Sequence, residues 1–277
     1  MMTKAKKKAT PKAKAKAKPK QAEVIVVKIG GRMANNAELL ADFARELGSL
    51  NRGRRFLVVH GGGKEVSAFS ERLLGKPAVF VNGIRRTSSE EMEIVEMVLN
   101  GKVNKRLVRL FQASGVKAVG LSGADGPIFT GAVLSVDPPT RTGKVADART
   151  GLLRLLFSGG YVPVLSSTTM DASGEGVNIN ADEAALDLAE ALRADVLLFL
   201  SDIPGVLKDG EPIATLDARR ARAEIAAGVI SGGMIPKVES ALGALESGVK
   251  RVVIGEYAAP GAFKKLLAGE QGTSIVR

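Results

Sequence analysis

Apolar residues recur along this chain in two alternating periods. From Glu23 the run VIVVKIGGRM is an apolar strand ending in a lysine and a glycine pair, and from Asn35 to Leu50 the apolar positions take the spacing of a helix face. The next unit repeats that order. RFLVV at Arg55 to Val59 is a buried strand, His60 to Gly63 a glycine turn, and Lys64 to Leu74 a helix with Val66, Phe69, Leu73 and Leu74 as its apolar side. After a short strand at Val79 to Val81, a long helical pattern opens at Ser88, where Ser88 and Glu91 stand at capping-box spacing, and runs to about Gln112 with a bend expected at Gly101. Strands at Val116 to Gly123 and Tyr161 to Ser167 flank a hairpin region, Phe129 to Ala146, and a helix near Arg149 to Phe157. The second half reads as helix Ala181 to Leu192, strand Val196 to Asp202, helices near Asp217 to Ala227 and Met234 to Glu246, and strand Arg251 to Gly255. Strand, glycine loop and helix in succession imply parallel pairing, so the pattern predicts a three-layer α/β/α sandwich around a mainly parallel open sheet.

Composition narrows what such a fold does here. The 277 residues contain no cysteine and one histidine, which excludes a disulfide framework, a thiolate nucleophile and zinc held by sulfur, and leaves little for Ser-His-Asp hydrolysis. The absence of cysteine fits a reducing compartment, and with no apolar signal segment and no long apolar run the expected location is cytoplasmic. The formal charge of +11 suggests a polyanionic partner, but it is unevenly placed. Residues 1 to 21 hold nine lysines and no acid, leaving 31 basic against 29 acidic groups in the remainder. Residues 1 to 22 are therefore read as a disordered Lys/Ala/Pro-rich tail able to bind polyanions non-specifically, and 23 to 277 as one nearly neutral globular body.

The candidate chemistry sits at the strand ends. Lys28-Ile29-Gly30-Gly31 and His60-Gly61-Gly62-Gly63 both stand where a strand meets a helix N-terminus, the edge at which open α/β sheets bind ligands. Glycines let backbone N–H groups approach anionic oxygens, and the helix dipole favours negative charge. Glycine is also what a tight turn needs for conformation alone. Two such loops in succession, one with Lys28 at the strand end, favour anion binding. The chain has neither a G-x-x-x-x-G-K-[ST] loop nor a G-x-G-x-x-G loop after a strand, so the P-loop and dinucleotide folds are not the default. His60, following two valines, is read as structural.

Further polar segments interrupt the apolar pattern: NGIRRT (82–87), GLSGADG (120–126), VNINAD (177–182) and SGGMIPK (231–237). With VVHGGGKEV, GYVPVLSS and LSDIPGVL, in this order over Val24 to Val253, they resemble the N-acetylglutamate kinases of the amino acid kinase family. The resemblance implies the amino acid kinase fold, with an acceptor-binding half to about residue 170 and an ATP-binding half after it. It implies transfer of the γ-phosphoryl group of ATP, with Mg²⁺ held mainly by the ATP phosphates, onto the side-chain carboxylate of N-acetyl-L-glutamate in arginine biosynthesis. Lys28 and Lys237 match the family's two transition-state lysines, and Asp182 the acid that orients them. Gly62, Gly63, Arg85 and Asn178 match acceptor-binding positions. Gly30, Gly31, Asp202, Gly205, Leu207, Val229 and Ser231 match nucleotide-binding stretches. No residue is assigned to a metal, and a homodimer or larger homo-oligomer is implied by the family.

The match has gaps and rivals. DPPTRTGKVADART (137–150) and SSTTMDASGEG (166–176) differ from the family pattern, and Ala124 stands where lysine is often found. One alternative acceptor is α-aminoadipate or glutamate carried on a small acidic protein, a reaction of a nearby relative in lysine or arginine synthesis. A different class of reading makes the chain a tail-driven nucleic-acid-binding protein with an inactive kinase body. Residue by residue, too, plainer roles stand beside the catalytic ones: Lys28 could snorkel to solvent, Asp182 could serve the helix dipole, and Arg85 and Asn178 could be turn residues.

Overall fold

The computed structural model describes residues 22–277 except Asn35 and Asn82. The tail at residues 1–21 lies outside the described residues. Strand β1 (Glu23–Ile29) passes through a single helical turn, α1 (Gly31–Ala34), into α2 (Ala37–Leu50), and β2 (Arg54–His60) passes into α3 (Gly63–Leu74). A hairpin of β3 (Val79–Val81) and β4 (Ile84–Arg86) precedes one long helical rod: α4 (Ser89–Glu96), a π-helical stretch Met97–Val103, and α5 (Asn104–Ala113). Next come β5 (Ala118–Leu121), β6 (Phe129–Val133), β7 (Thr142–Ala148), α6 (Gly151–Ser158), β8 (Val162–Ser166), β9 (Thr168–Met170) and β10 (Gly176–Ile179). The last part holds α7 (Ala181–Leu192), β11 (Val196–Ser201), the short β12 (Leu207–Lys208), β13 (Glu211–Pro212) and β14 (Thr215–Leu216), α8 (Ala218–Ala226), α9 (Met234–Glu246), β15 (Arg251–Glu256), α10 (Ala262–Ala268) and β16 (Thr273–Ile275).

Eight strands form the main sheet in the order β14-β16-β15-β11-β1-β2-β8-β5, all neighbours parallel except the antiparallel pair β15 and β16. β1 lies in the middle, Ile25 pairing with Val196 on one side and Phe56 on the other. Because successive side chains point to opposite faces, each central strand feeds two cores. Val26, Leu57, Val59, Leu165, Leu197 and Phe199 pack on the face covered by α7 and α9, while Ile25, Val27, Phe56, Val58, Val164 and Leu198 pack on the face covered by α2 and α5. Lys28 shares the face of Val26, so strand parity alone aims it at α7. A second sheet, β6-β7-β10-β9, stands over the strand ends and supplies one wall of the site.

The long rod is where structure and sequence pattern differ. The rod widens into π geometry over Met97–Val103, the stretch that contains Gly101. Four polar contacts account for the position. Asn104 Nδ2 donates to Val164 O at 2.8 Å and meets His60 Nε2 at 3.0 Å, while Asn100 Oδ1 accepts from Ser166 Oγ at 2.5 Å and Thr168 Oγ1 at 2.7 Å. The wider turn keeps these two asparagines on the strand ends while Leu99 and Val103 stay buried against Gly62. The same rod closes the sheet's edge: Gln112 Nε2 and Lys105 Nζ donate to Ala118 O and Gly120 O of the edge strand β5.

Candidate active site

Three charged groups from distant parts of the chain meet at the C-terminal edge of the main sheet. Lys28 ends β1, Asp182 lies in the first turn of α7, and Lys237 lies in the first turn of α9. Asp182 Oδ1 is 2.8 Å from Lys28 Nζ, and Oδ2 is 3.6 Å from Lys237 Nζ. The aspartate is held from below, because Asn180 caps the helix by accepting from the Asp182 N–H at 2.8 Å. Burial alone would raise the Asp182 pKa, but the two ammonium groups outweigh it and hold the carboxyl below its ordinary value. It is therefore ionised near neutrality, and one negative charge between two positive ones leaves the cluster net cationic. Lys237 also lies 5.9 Å above the Phe199 ring of β11, which limits its wandering.

The glycine loops fit around this cluster for steric reasons. A Cβ on Gly30 would collide with the Lys28 ammonium, and one on Gly62 would lie 2.7 Å from Leu99 Cδ2. His60 anchors the second loop from behind. It is fully buried, its Nδ1 2.9 Å from Gly61 O and its Nε2 facing Asn104 Nδ2, so the neutral tautomer with the proton on Nδ1 satisfies both contacts. Burial is the main reason its pKa falls to about 4. A histidine that stays neutral and enclosed suits a structural role.

Two cavities flank Asp182. The first, about 340 Å³, is lined by Lys28, Gly30, Gly61 to Gly63, Arg85, Asn178 and Arg106 among others, all from residues 28 to 181. The second, about 370 Å³, includes Asp182, Phe199, Gly233, Lys237 and Ser240 and shares Ile84, Thr142 and Asn180 with the first. Gly62, Gly63, Arg85 and Asn178 are thus brought together in one cavity, with Lys28 and Asp182 at its junction to the next.

Arg85 arrives with its guanidinium partly engaged. Nη1 pairs with Glu91 Oε1 at 2.9 Å, and Nη2 donates to Gly63 O at 2.8 Å and Ser67 Oγ at 2.6 Å. The capping box expected at Ser88 is accordingly half made: Ser88 Oγ accepts from the Glu91 N–H at 3.1 Å, but the Glu91 carboxylate turns to Arg85 and Ser70 instead. Asn178 donates through Nδ2 to Thr87 Oγ1 at 2.9 Å. Asp202, Gly205 and Leu207 follow β11, and Val229 and Ser231 precede α9, on the same edge of the sheet. None of these five lines either cavity. Gly205 has a packing reason of its own, since a Cβ there would lie 2.7 Å from Thr273 Oγ1. Sequence reasoning passed over Arg106, Thr142 and Asn180; only Asn180, a capping residue type before a helix, carried a local signal.

The chain that carries this sheet, these glycine loops and this Lys-Asp-Lys cluster belongs to the amino acid kinase family, whose profile matches residues 23–256. Among its relatives is the acetylglutamate kinase of Geobacillus kaustophilus, 40% identical over 232 residues that cover 84% of this chain and 89% of the relative. The acetylglutamate kinase of a Synechococcus strain is 41% identical over 87% of this chain and 78% of its own length. Among solved structures, the N-acetylglutamate synthase of Neisseria gonorrhoeae, complexed with coenzyme A and N-acetyl-glutamate, superposes with a TM-score of 0.80 at 25% identity, over 92% of this chain and 59% of the synthase.

Proposed function

We propose that this chain is an acetylglutamate kinase, transferring the γ-phosphoryl group of MgATP to the side-chain carboxylate of N-acetyl-L-glutamate to give N-acetylglutamyl 5-phosphate, a step of arginine biosynthesis. The observation that carries this reading is the Lys28-Asp182-Lys237 cluster, with contacts of 2.8 and 3.6 Å, between two cavities of which one holds both glycine loops. The relatives named above favour N-acetylglutamate as the acceptor.

The chemistry suits the residues present. A carboxylate with a pKa of about 4.3 is ionised at neutral pH and attacks without a general base. An acceptor oxygen forms the new bond to the γ-phosphorus while the bond to the β–γ bridging oxygen breaks and ADP leaves, so no proton changes place. The obstacle is an anion approaching a polyanion, and the transition state spreads negative charge over the equatorial oxygens. Lys28 from the acceptor side and Lys237 from the other side supply the opposing charge, with Asp182 keeping both aimed. Asn178, Arg85 and the Gly62 and Gly63 amides hold the acceptor; Gly30, Gly31 and the segments at Asp202 to Leu207 and Val229 to Ser231 serve the nucleotide. Mg²⁺ would enter as the counter-ion of the ATP phosphates. We place the acceptor half before about residue 170 and the nucleotide half after it, with Asn178 to Ala181 of the second half reaching into the first cavity.

The test is a coupled ADP-release assay on the full chain. Turnover is expected with free N-acetylglutamate, and turnover only with a carrier-linked α-aminoadipate or glutamate refutes the acceptor assignment. Mass photometry reports the homodimer or larger assembly expected of the family.

A further inference from the structure

Among the described residues, four cations line the first cavity: Lys28, Lys64, Arg85 and Arg106. Three of them arrive already paired. Lys28 Nζ is 2.8 Å from Asp182 Oδ1, Arg85 Nη1 is 2.9 Å from Glu91 Oε1, and Arg106 Nη2 is 2.7 Å from Glu65 Oε1. Lys64 is exposed and has neither an ion pair nor a side-chain hydrogen bond among the described residues. Every cation of this cavity but Lys64 therefore has a carboxylate of the protein against it.

Its place in the helix gives no local reason for a cation. Lys64 lies in the first turn of α3, where the positive end of the helix dipole favours acids, and the acid of that turn, Glu65, is committed to Arg106 and to Lys102 at 2.6 Å. A local preference broken without local gain is a mark of functional positions. Two features set the lysine over the cavity. Helix side chains lean towards the helix N-terminus, so one in the first turn leans back over the glycine loop that lines the cavity. The Gly63 carbonyl, which accepts from Arg85 Nη2 at 2.8 Å, belongs to the peptide bond that opens Lys64, so the lysine stem starts one peptide unit from the Arg85 guanidinium.

We propose that Lys64 is a further acceptor-binding residue, whose ammonium closes on the acceptor's non-reacting carboxylate beside Arg85. The inference rests on the functional reading above, in which the acceptor brings two carboxylates. The reacting one meets Lys28 and Asp182, where the two cavities join. The other lies towards Arg85, whose Nη atoms are held by Glu91, Gly63 and Ser67 and whose charge Glu91 already offsets. Lys64 supplies the charge that remains to be matched. On its flexible stem the ammonium swings from solvent onto the ligand without breaking a contact of the protein. Lys64 is thereby a determinant of specificity, since an acceptor whose second carboxylate is masked gains nothing from it.

The experiment measures ADP release with N-acetylglutamate and with its α-carboxamide analogue, which keeps the reacting side-chain carboxylate, on the wild-type full chain, Lys64→Met and Lys64→Arg. Lys64→Met should raise KM for the acid about 3- to 30-fold, between the effect of a solvated ion pair and that of a sheltered charged hydrogen bond, and leave kcat and the KM values for the carboxamide and MgATP within about twofold. Lys64→Arg should recover most of that loss, because it keeps a cation on a flexible stem. Raising KCl from about 0.05 to 0.5 M should shrink the difference between wild type and Lys64→Met, since salt screens an ion pair near the surface. The melting temperature of Lys64→Met should equal or exceed that of wild type, because a cation leaves the positive end of α3. An unchanged KM for the acid, equal losses for acid and carboxamide, or a loss that Lys64→Arg shares in full would overturn the proposal. Any of these results beside a wild-type chain that turns over the acid removes this inference alone; a wild-type chain that neither binds nor phosphorylates N-acetylglutamate removes the functional reading and this one with it.

Discussion

Replacing Gly62 by alanine puts a methyl group 2.7 Å from Leu99 Cδ2 and 3.1 Å from Val103 Cγ2. Carbon atoms prefer separations of about 3.5 to 4.0 Å, so the neighbours must yield by roughly 1 Å. They cannot do so freely. Leu99 and Val103 are 3% and 1% exposed and belong to the π-helical stretch, which Asn100 within it and Asn104 just past it tie to the strand ends. The backbone adds no penalty of its own, because the Gly62 φ of 166° is extended. Overpacking of this kind costs about 1 to 3 kcal/mol, visible as a lower urea midpoint. Some of the strain will be relieved by moving the glycine loop, and a shift of about 1 Å in a group that positions a substrate costs on the order of 100-fold in kcat/KM. Gly63→Ala is the internal control for stability, since nothing lies within 4 Å of a Cβ there. Leu99→Ala supplies the second test: alone it should cost about 2 to 5 kcal/mol, but combined with Gly62→Ala the loss should fall short of the sum by at least about 1 kcal/mol, because each change fills the other's gap. Gly62→Ala with the wild-type urea midpoint and turnover, or strict additivity with Leu99→Ala, would refute the claim that this close approach requires glycine.

His60 makes a pH prediction. Its folded pKa of about 4 lies below the ordinary histidine value, so between about pH 6.5 and 4 the unfolded chain binds a proton that the folded chain refuses. Stability from this residue is present above pH 6.5 and is lost as pH falls towards 4, by up to about 3 kcal/mol. Urea midpoints of wild type minus His60→Gln, measured across pH 4 to 8, should show that slope, and parallel profiles would contradict it. Lys237→Ala should cut kcat by about 100- to 1,000-fold while leaving the circular dichroism spectrum and melting temperature near wild type, since it removes one of two ammonium groups from a partly exposed cluster. A variant with near wild-type kcat would show that Lys237 does not face the transferring group.

Much of the architecture was legible along the chain because burial on a strand or a helix has a short period. The VIVVKI strand, the helix over Ala181–Leu192 and the capping residue Ser88 are each set by neighbours within a few positions, and the structure places them where the pattern does. The glycine loops were legible as loops, and the concentration of lysines in residues 1 to 21 showed that the net charge does not describe the body. What the periodicity of the chain could not supply was any statement about partners far apart in it. Glu91 reads locally as a capping-box acid, yet its carboxylate is spent on Arg85 and Ser70, because a buried guanidinium needs a counter-charge more than an exposed helix end needs a second cap. The rod around Gly101 reads as one long helix, yet it takes π geometry where Asn100 accepts hydrogen bonds from Ser166 and Thr168 and Asn104 donates to Val164 O. Nothing along the chain singles out Arg106, and only packing decided that it lines the first cavity. Sequence by itself determined the central strands, the main helices and the glycine loops between them, since those follow from local periodicity and backbone freedom. Only the tertiary structure decided which charges meet, because electrostatic pairing depends on distance in space and leaves no period along the chain.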